Sequence, residues 1–231
     1  MTPPVALTIA GSDSGGAAGI AADLTTFAAL GVHGAVAVTA VTAQCTLGVH
    51  RVVPLSAGDV TAQIRAVFDD LPVAVVKTGM LGNAAVARAV IEALPRHVPL
   101  VVDPVLVATS GAVLADAELV AAYRQVVLPR ATVATPNDAE AAVLGPLPCP
   151  SVVTGASVDR FDGIELRADV VPTQNDHGTG CTHSAALAAY LAHGHPLAEA
   201  ARLAQQFVVD RLIVSASWSL GRGRGPVAHT L

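Results

Sequence analysis

Short valine-rich runs alternate along the whole chain with longer alanine- and leucine-rich segments, and this rhythm constrains the fold more than any other feature. VALTIA at 5–10, AVAVTAV at 35–41, VAVVKTG at 73–79, PLVVDPV at 99–105 and ATVATP at 131–136 are the strand candidates. Between them the spacing predicts helices over 19–30, 57–68, 83–94, 116–128 and 138–144. Runs apolar on both faces suit central parallel strands covered by helices on each side, joined by right-handed crossovers. From position 145 the pattern loosens: SVVTG at 151–155 reads as a further sheet strand, followed by a hairpin-like excursion. Two more helices are expected over 178–193 and 196–215, and GRGRGPV near the end reads as a loop.

With 231 residues, 52% of them hydrophobic and no linker or repeat, the chain is expected to form one domain, 1–231. A formal charge of −5 excludes a strongly basic nucleic-acid binder. The first residues lack a basic start and a long apolar run, and the uncharged stretch from Asp23 to Arg51 is broken by His33, Gly34 and Gln44. We therefore expect a cytoplasmic protein without a membrane span. Cys45, Cys149 and Cys181 are odd in number and widely spaced, which argues against disulfides or structural zinc. Lys77 is the sole lysine, so lysine-dependent chemistry has one candidate position.

In an open α/β sheet, ligands bind beyond the carboxyl ends of the strands. The loop from Gly11 to Asp23 is glycine-rich but lacks the G-x-G-x-x-G spacing, and Asp13 would repel a pyrophosphate; a small-ligand loop fits it better. Lys77-Thr78 has no glycine at the P-loop spacing and can equally cap the edge of a buried strand. Asp103, Asn137 and Glu140 follow successive strands and offer oxygen atoms suited to hydrated magnesium, although Asn137 could simply cap a short helix. The strongest signal is His177-Gly178-Thr179-Gly180-Cys181 opening an alanine-rich helix. Its amides would converge on an anion, and the helix terminus is expected to lower the Cys181 thiol pKa. His177 and His183 read as loop and helix-face residues rather than metal ligands.

These segments together, LTIAGSDSGGAAGIAADLTTFAALG, VTAQCTLGV, KTGML, VVDPVLVATSG, TPNDAEA and HGTGCTHSAALAA, closely resemble the hydroxymethylpyrimidine kinase/phosphomethylpyrimidine kinase family of thiamine biosynthesis. The resemblance implies a ribokinase-like three-layer αβα sandwich with a mostly parallel central sheet, and a homodimer. It implies ATP-dependent phosphorylation of 4-amino-5-hydroxymethyl-2-methylpyrimidine and then of its monophosphate, with ATP and Mg2+ as cofactors. Gly11, Asp23, Gln44, Met80 and Val107 would shape the pyrimidine pocket; Asp103, Asn137 and Thr154 would face the nucleotide, and Asn137 and Glu140 the metal. Gly178, Thr179 and Gly180 would stabilise the transferring phosphoryl group, with Cys181 positioning or deprotonating the substrate hydroxyl. Two departures fall on the nucleotide side. Val153, Thr154, Gly155 and Ala156 stand where the family carries a strand ending in Lys-Gly-Gly-His, and the linker of residues 144–151 is too short for the usual preceding helix. Related vitamin kinases leave a pyridoxal or pyridoxine kinase as the second reading, and a degenerate pyrimidine-binding protein with weak kinase activity as the third.

Overall fold

A computed structural model describes residues 2–108, 111–155 and 158–229. Five parallel strands form the central sheet in the order β2-β1-β5-β6-β7: β1 Val5–Ala10, β2 His33–Val38, β5 Val73–Thr78, β6 Leu100–Val102 and β7 Val133–Ala134. Side chains alternate between two buried layers, as the two-residue period of a strand requires. Leu7, Ile9, Val76, Leu100 and Val102 face one core with α2 (Ala57–Asp70), α3 (Ala84–Ala93) and α4 (Ala117–Ala122). Ala6, Val75, Val101 and Val133 face the other, against α1 (Gly19–Ala29), α6 (Thr179–Ala192) and α7 (Leu197–Ser215). The αβα layering expected from the alternation is present. Ala185, Ala186, Ala188 and Ala189 of α6 are fully buried, and their small side chains let that helix lie close to the sheet.

Three local expectations change. The run at 35–41 is two strands, because the chain turns at Thr39: its amide donates to Ala10 O at 3.0 Å and its hydroxyl to Met80 O at 2.6 Å. Beyond it, β3 (Ala40–Cys45) leaves the sheet and pairs antiparallel with β4 (Gly48–Pro54), a strand not anticipated. The helix expected over 116–128 ends at Ala122 and continues as a π turn over Tyr123–Val127 and a 3-10 turn over Leu128–Arg130. Pro129, lacking an N–H, cannot continue an α-helical ladder. Finally, β8 (Val152–Val153) pairs antiparallel with β9 (Asp159–Phe161), which pairs with β10 (Ile164–Leu166) around an Asp162-Gly163 turn whose φ values are both positive. Parallel bridges Ala134–Ser151 and Asn137–Thr154 attach this small sheet beside β7. The short helix α5 (Asp138–Leu144) matches its expected bounds and passes directly into β8 through residues 145–151.

Candidate active site

Two adjoining cavities lie at the carboxyl ends of the parallel strands. The smaller, of about 220 Å³, is lined by Gly11, Gln44, Met80, Asp103, Val107 and Cys181 among others. The larger, of about 630 Å³, is bounded by α5, the β8–β9 connection and α7, and includes Asp176, His183 and Arg224. Asn137, Thr154, Thr179 and Gly180 line both, so the start of α6 and the Asn137–Thr154 bridge form the partition. Gly178 lines the smaller cavity.

The partition presents free backbone donors. Gly178 is the N-cap of α6 with φ 89° and offers no side chain to the helix end. A Cβ there would overlap Ala17 O in addition to being strained, so only glycine closes this turn. Thr182 N is taken by Gly178 O at 2.8 Å, whereas the amides of Gly180 and Cys181 have no acceptor among the described residues. A Cβ added at Gly180 would meet nothing within 4 Å. Free amides at a helix N-terminus next to empty space are able to take an anion.

Asn137 and Glu140 answer both readings of that pair. Asn137 Oδ1 accepts from Glu140 N at 2.9 Å and Glu140 Oε2 from Asn137 N at 3.0 Å, a reciprocal capping box that starts α5. Glu140 Oε1 also accepts from Leu106 N at 3.1 Å. Burial, with the charge of Asp103 second, pushes the Glu140 carboxyl up to about 7. Among the described residues no three His, Cys, Asp or Glu side chains are grouped closely enough to cage a metal ion. Asp103, Asn137 and Glu140 nevertheless line one cavity, and an all-oxygen donor set of this kind suits a cation that keeps its waters.

Two expectations are corrected. Asp23 lines neither cavity: it is wholly buried between α1 and β5, where its carboxylate takes Lys77 Nζ at 2.8 and 2.9 Å and the Thr8 hydroxyl at 2.6 Å. Lys77 points into the α1/α6 layer, and a carboxylate opposite it at zero exposure outcompetes any ligand for that side chain. The Cys181 thiol is not activated. Burial pushes it up to about 12; Lys77 pulls it down, but Asp103 and Asp23 oppose that pull and leave it protonated. Although Cys181 lines the smaller cavity, burial and the two carboxylates outweigh the lowering that helix-end amides give a thiol.

The expected lysine of the β8 segment is absent as read: Thr154 stands on the partition, and Ala156 lies outside the described residues. Arg224 is the sole Lys or Arg among the described residues lining the larger cavity, and its guanidinium is paired with Asp176.

Two groups escaped the sequence reading. Asp13, dismissed there as a repellent charge, accepts the amides of Gly15 at 2.8 Å, Ala17 at 3.1 Å and Ala18 at 2.9 Å, organising the loop that floors the smaller cavity. An acidic residue two to five positions before a run of glycine and alanine is the local signal for such a turn. Ser184, one turn into α6, donates to Asp103 Oδ2 at 2.9 Å. Nothing in the local pattern marks that pairing, because its partners are 81 residues apart.

Comparison with known proteins agrees with this architecture. A family model described as phosphomethylpyrimidine kinase matches residues 13–154 and 145–228, two stretches that meet at the short α5–β8 connection. A hydroxymethylpyrimidine/phosphomethylpyrimidine kinase of Synechococcus elongatus is 41% identical over 260 aligned positions, covering 99% of this chain and 98% of that protein. The crystal structure of an ADP complex of Bacillus subtilis pyridoxal kinase superposes with a TM-score of 0.89 at 32% identity, covering 98% of this chain and 97% of that one. Phosphomethylpyrimidine kinase from Clostridium difficile gives a TM-score of 0.74 at 33% identity over 90% of this chain and 98% of that one. Family match, near-full-length relatives and the two-cavity sheet edge together show that this chain belongs to the phosphomethylpyrimidine kinase family.

Proposed function

We propose that the protein transfers the γ-phosphoryl group of ATP to 4-amino-5-hydroxymethyl-2-methylpyrimidine and to its monophosphate. The observation that carries this reading is the partition: uncapped amides at the start of α6 stand between a small cavity holding Gln44 and Met80 and a large cavity open to α7. The ring substrate occupies the first and the nucleotide the second, so the phosphoryl group crosses at Gly180. Phosphoryl transfer demands chiefly that charge be met and reactants be aligned. The amides of Gly180 and Cys181 meet the developing charge. Asp103, Asn137 and Glu140 would hold a hydrated magnesium ion, whose contribution is to neutralise phosphate charge.

The Cys181 thiol, protonated in this setting, orients the substrate hydroxyl rather than acting as a ready-made base. In a loose transition state the hydroxyl proton leaves late, so alignment matters more than prior deprotonation. Nucleotide use is supported by the ADP complex of the pyridoxal kinase relative. Arg224 gives the larger cavity a cation where the family's lysine is missing. Val41, Leu47, Val52 and Val53 on the β3–β4 hairpin are exposed, which supports a homodimer, to be checked by sedimentation. Among the described residues no helix is long and apolar enough to cross a membrane, consistent with a cytoplasmic enzyme.

A pyridoxal kinase remains the second reading, favoured by the TM-score of 0.89 to such an enzyme. The test is incubation with the aminopyrimidine, ATP and magnesium, followed by detection of the phosphorylated ring. Product formation supports the reading, and its absence at high enzyme concentration sinks it.

A further inference from the structure

Three side chains meet at the floor of the smaller cavity. His177 Nε2 lies 3.3 Å from Asp13 Oδ2 and 3.1 Å from the terminal amide of Gln44. All three residues line the cavity, and the side chains of His177 and Asp13 are 9% and 2% exposed. Asp13 is a fixed anion. Burial works against its charge, but the contact with His177 and the amides of Gly15 and Ala18 hold its pKa below the ordinary value.

A single ring nitrogen cannot accept from one neighbour while donating to the other. If Nε2 carried a lone pair it would face the lone pairs of an ionised Asp13 oxygen held in place by three amides. Nε2 therefore bears the proton and donates toward Asp13. An N–H there excludes the NH2 group of Gln44 as its other neighbour, so the Gln44 atom at 3.1 Å is the carbonyl oxygen. The two ends of an amide are nearly the same size, and hydrogen bonding alone decides between them. The other terminal position of Gln44 has no hydrogen-bond partner among the described residues, and in this orientation it is the NH2 group.

We propose that His177, locked by Asp13, is a specificity-determining positioning residue that turns the Gln44 amide so that its NH2 group is left for the substrate ring. The side chain then offers a donor beside a carbonyl oxygen with one lone pair still free. That pattern complements a ring edge with an acceptor nitrogen next to an amino donor, which an aminopyrimidine has. A pyridine with a ring hydroxyl, such as pyridoxal, has no amino donor to pair with the oxygen. This inference rests on the substrate reading above, with Gln44 as the ring contact, but it concerns which residue sets the preference within that reading.

The test is kinetic and spectroscopic. In His177→Phe the donor is lost and the amide is free to rotate, so kcat/KM for the aminopyrimidine falls about tenfold, the scale of one misoriented buried hydrogen-bond pair. That for pyridoxal stays within about threefold, and His177→Gln, which keeps an NH2 donor, recovers part of the loss. A ratio of the two specificity constants unchanged by His177→Phe overturns the proposal, because a merely structural role would lower both alike. Should that variant fail to fold, long-range 1H–15N spectra of the wild-type chain decide: a protonated Nε2 is required, and a bare Nε2 overturns the assignment. Complete lack of aminopyrimidine turnover by the wild-type chain counts against the substrate reading instead, and the ring-nitrogen spectrum still decides the role of His177.

Discussion

Lys77 Nζ lies 2.8 Å from Asp23 Oδ1 with both side chains at zero exposure, and 3.8 Å from Asp103 Oδ2. The lone lysine thus links a carboxylate buried between α1 and the sheet to one that lines the smaller cavity. Burial opposes its charge, but the carboxylates of Asp23 and Asp103 outweigh burial and raise its pKa above the ordinary lysine value. It is a structural cation whose charge opposes the upward push that burial exerts on both carboxyls, and it lines neither cavity.

Removing that cation leaves uncompensated charge in the interior. Lys77→Met is expected to destabilise the fold by about 3–5 kcal/mol, the scale for breaking a buried ion pair on one side. Replacing Lys77 and Asp23 together with Met and Asn should cost less than the single change. Denaturant unfolding of both variants checks this, and equal losses would contradict the pairing.

Gly180 should separate fold from function. Its Cβ direction is empty, so Gly180→Ala is expected to unfold within about 0.5 kcal/mol of wild type, as ordinary substitutions without a clash do. The methyl group would occupy the place of the transferring phosphoryl group, and turnover should fall at least about a hundredfold. Gly178→Ala, which meets Ala17 O, should instead fail to fold stably.

For Cys181 the expectation is a loss in kcat rather than in KM. If the thiol aligns the hydroxyl, Cys181→Ala lowers kcat about tenfold to a hundredfold with KM within about threefold, and Cys181→Ser retains more activity than Ala. Because the thiol is held near 12, the pH–rate profile below pH 9 should be the same for wild type and Cys181→Ser. A thiol ionisation appearing in the wild-type profile near neutrality would contradict this.

Glu140 carries a pH signature. Its carboxyl is raised from 4.5 to about 7 in the fold. Between those values the folded state keeps a proton that the unfolded chain has released, so stability falls as pH rises. Measured without metal against Glu140→Gln, wild type should lose on the order of 3 kcal/mol from pH 4.5 to pH 8. A stability difference that does not change with pH would place the carboxyl outside this buried setting.

Much of this was legible in sequence because parallel strands and crossover helices write themselves as local periodicity. The bounds of α5 followed from Asn137, Asp138 and Glu140, which combine a cap with acidic residues in the first helical turn. The break at Thr39 was not legible, since Thr39 is the lone polar residue in an otherwise apolar run from Ala35 to Val41 and the acceptors that turn the chain out of the sheet, Ala10 O and Met80 O, are distant in sequence. Asp23 was misplaced for a similar reason: its partner is 54 residues away, and nothing nearby shows that the helix turns it toward Lys77. The start of α6 at Gly178, Thr179 and Gly180 was legible because a helix N-terminus is a local structure, and these residues line the smaller cavity. The state of Cys181 was not found, because burial is set by the whole fold.

The most direct test of the account is a steady-state comparison of the aminopyrimidine, its monophosphate and pyridoxal as acceptors, at saturating ATP and magnesium. The account predicts phosphorylation of both pyrimidines, with specificity constants well above that for pyridoxal. A strong preference for pyridoxal, or no phosphoryl transfer to either pyrimidine, would contradict it.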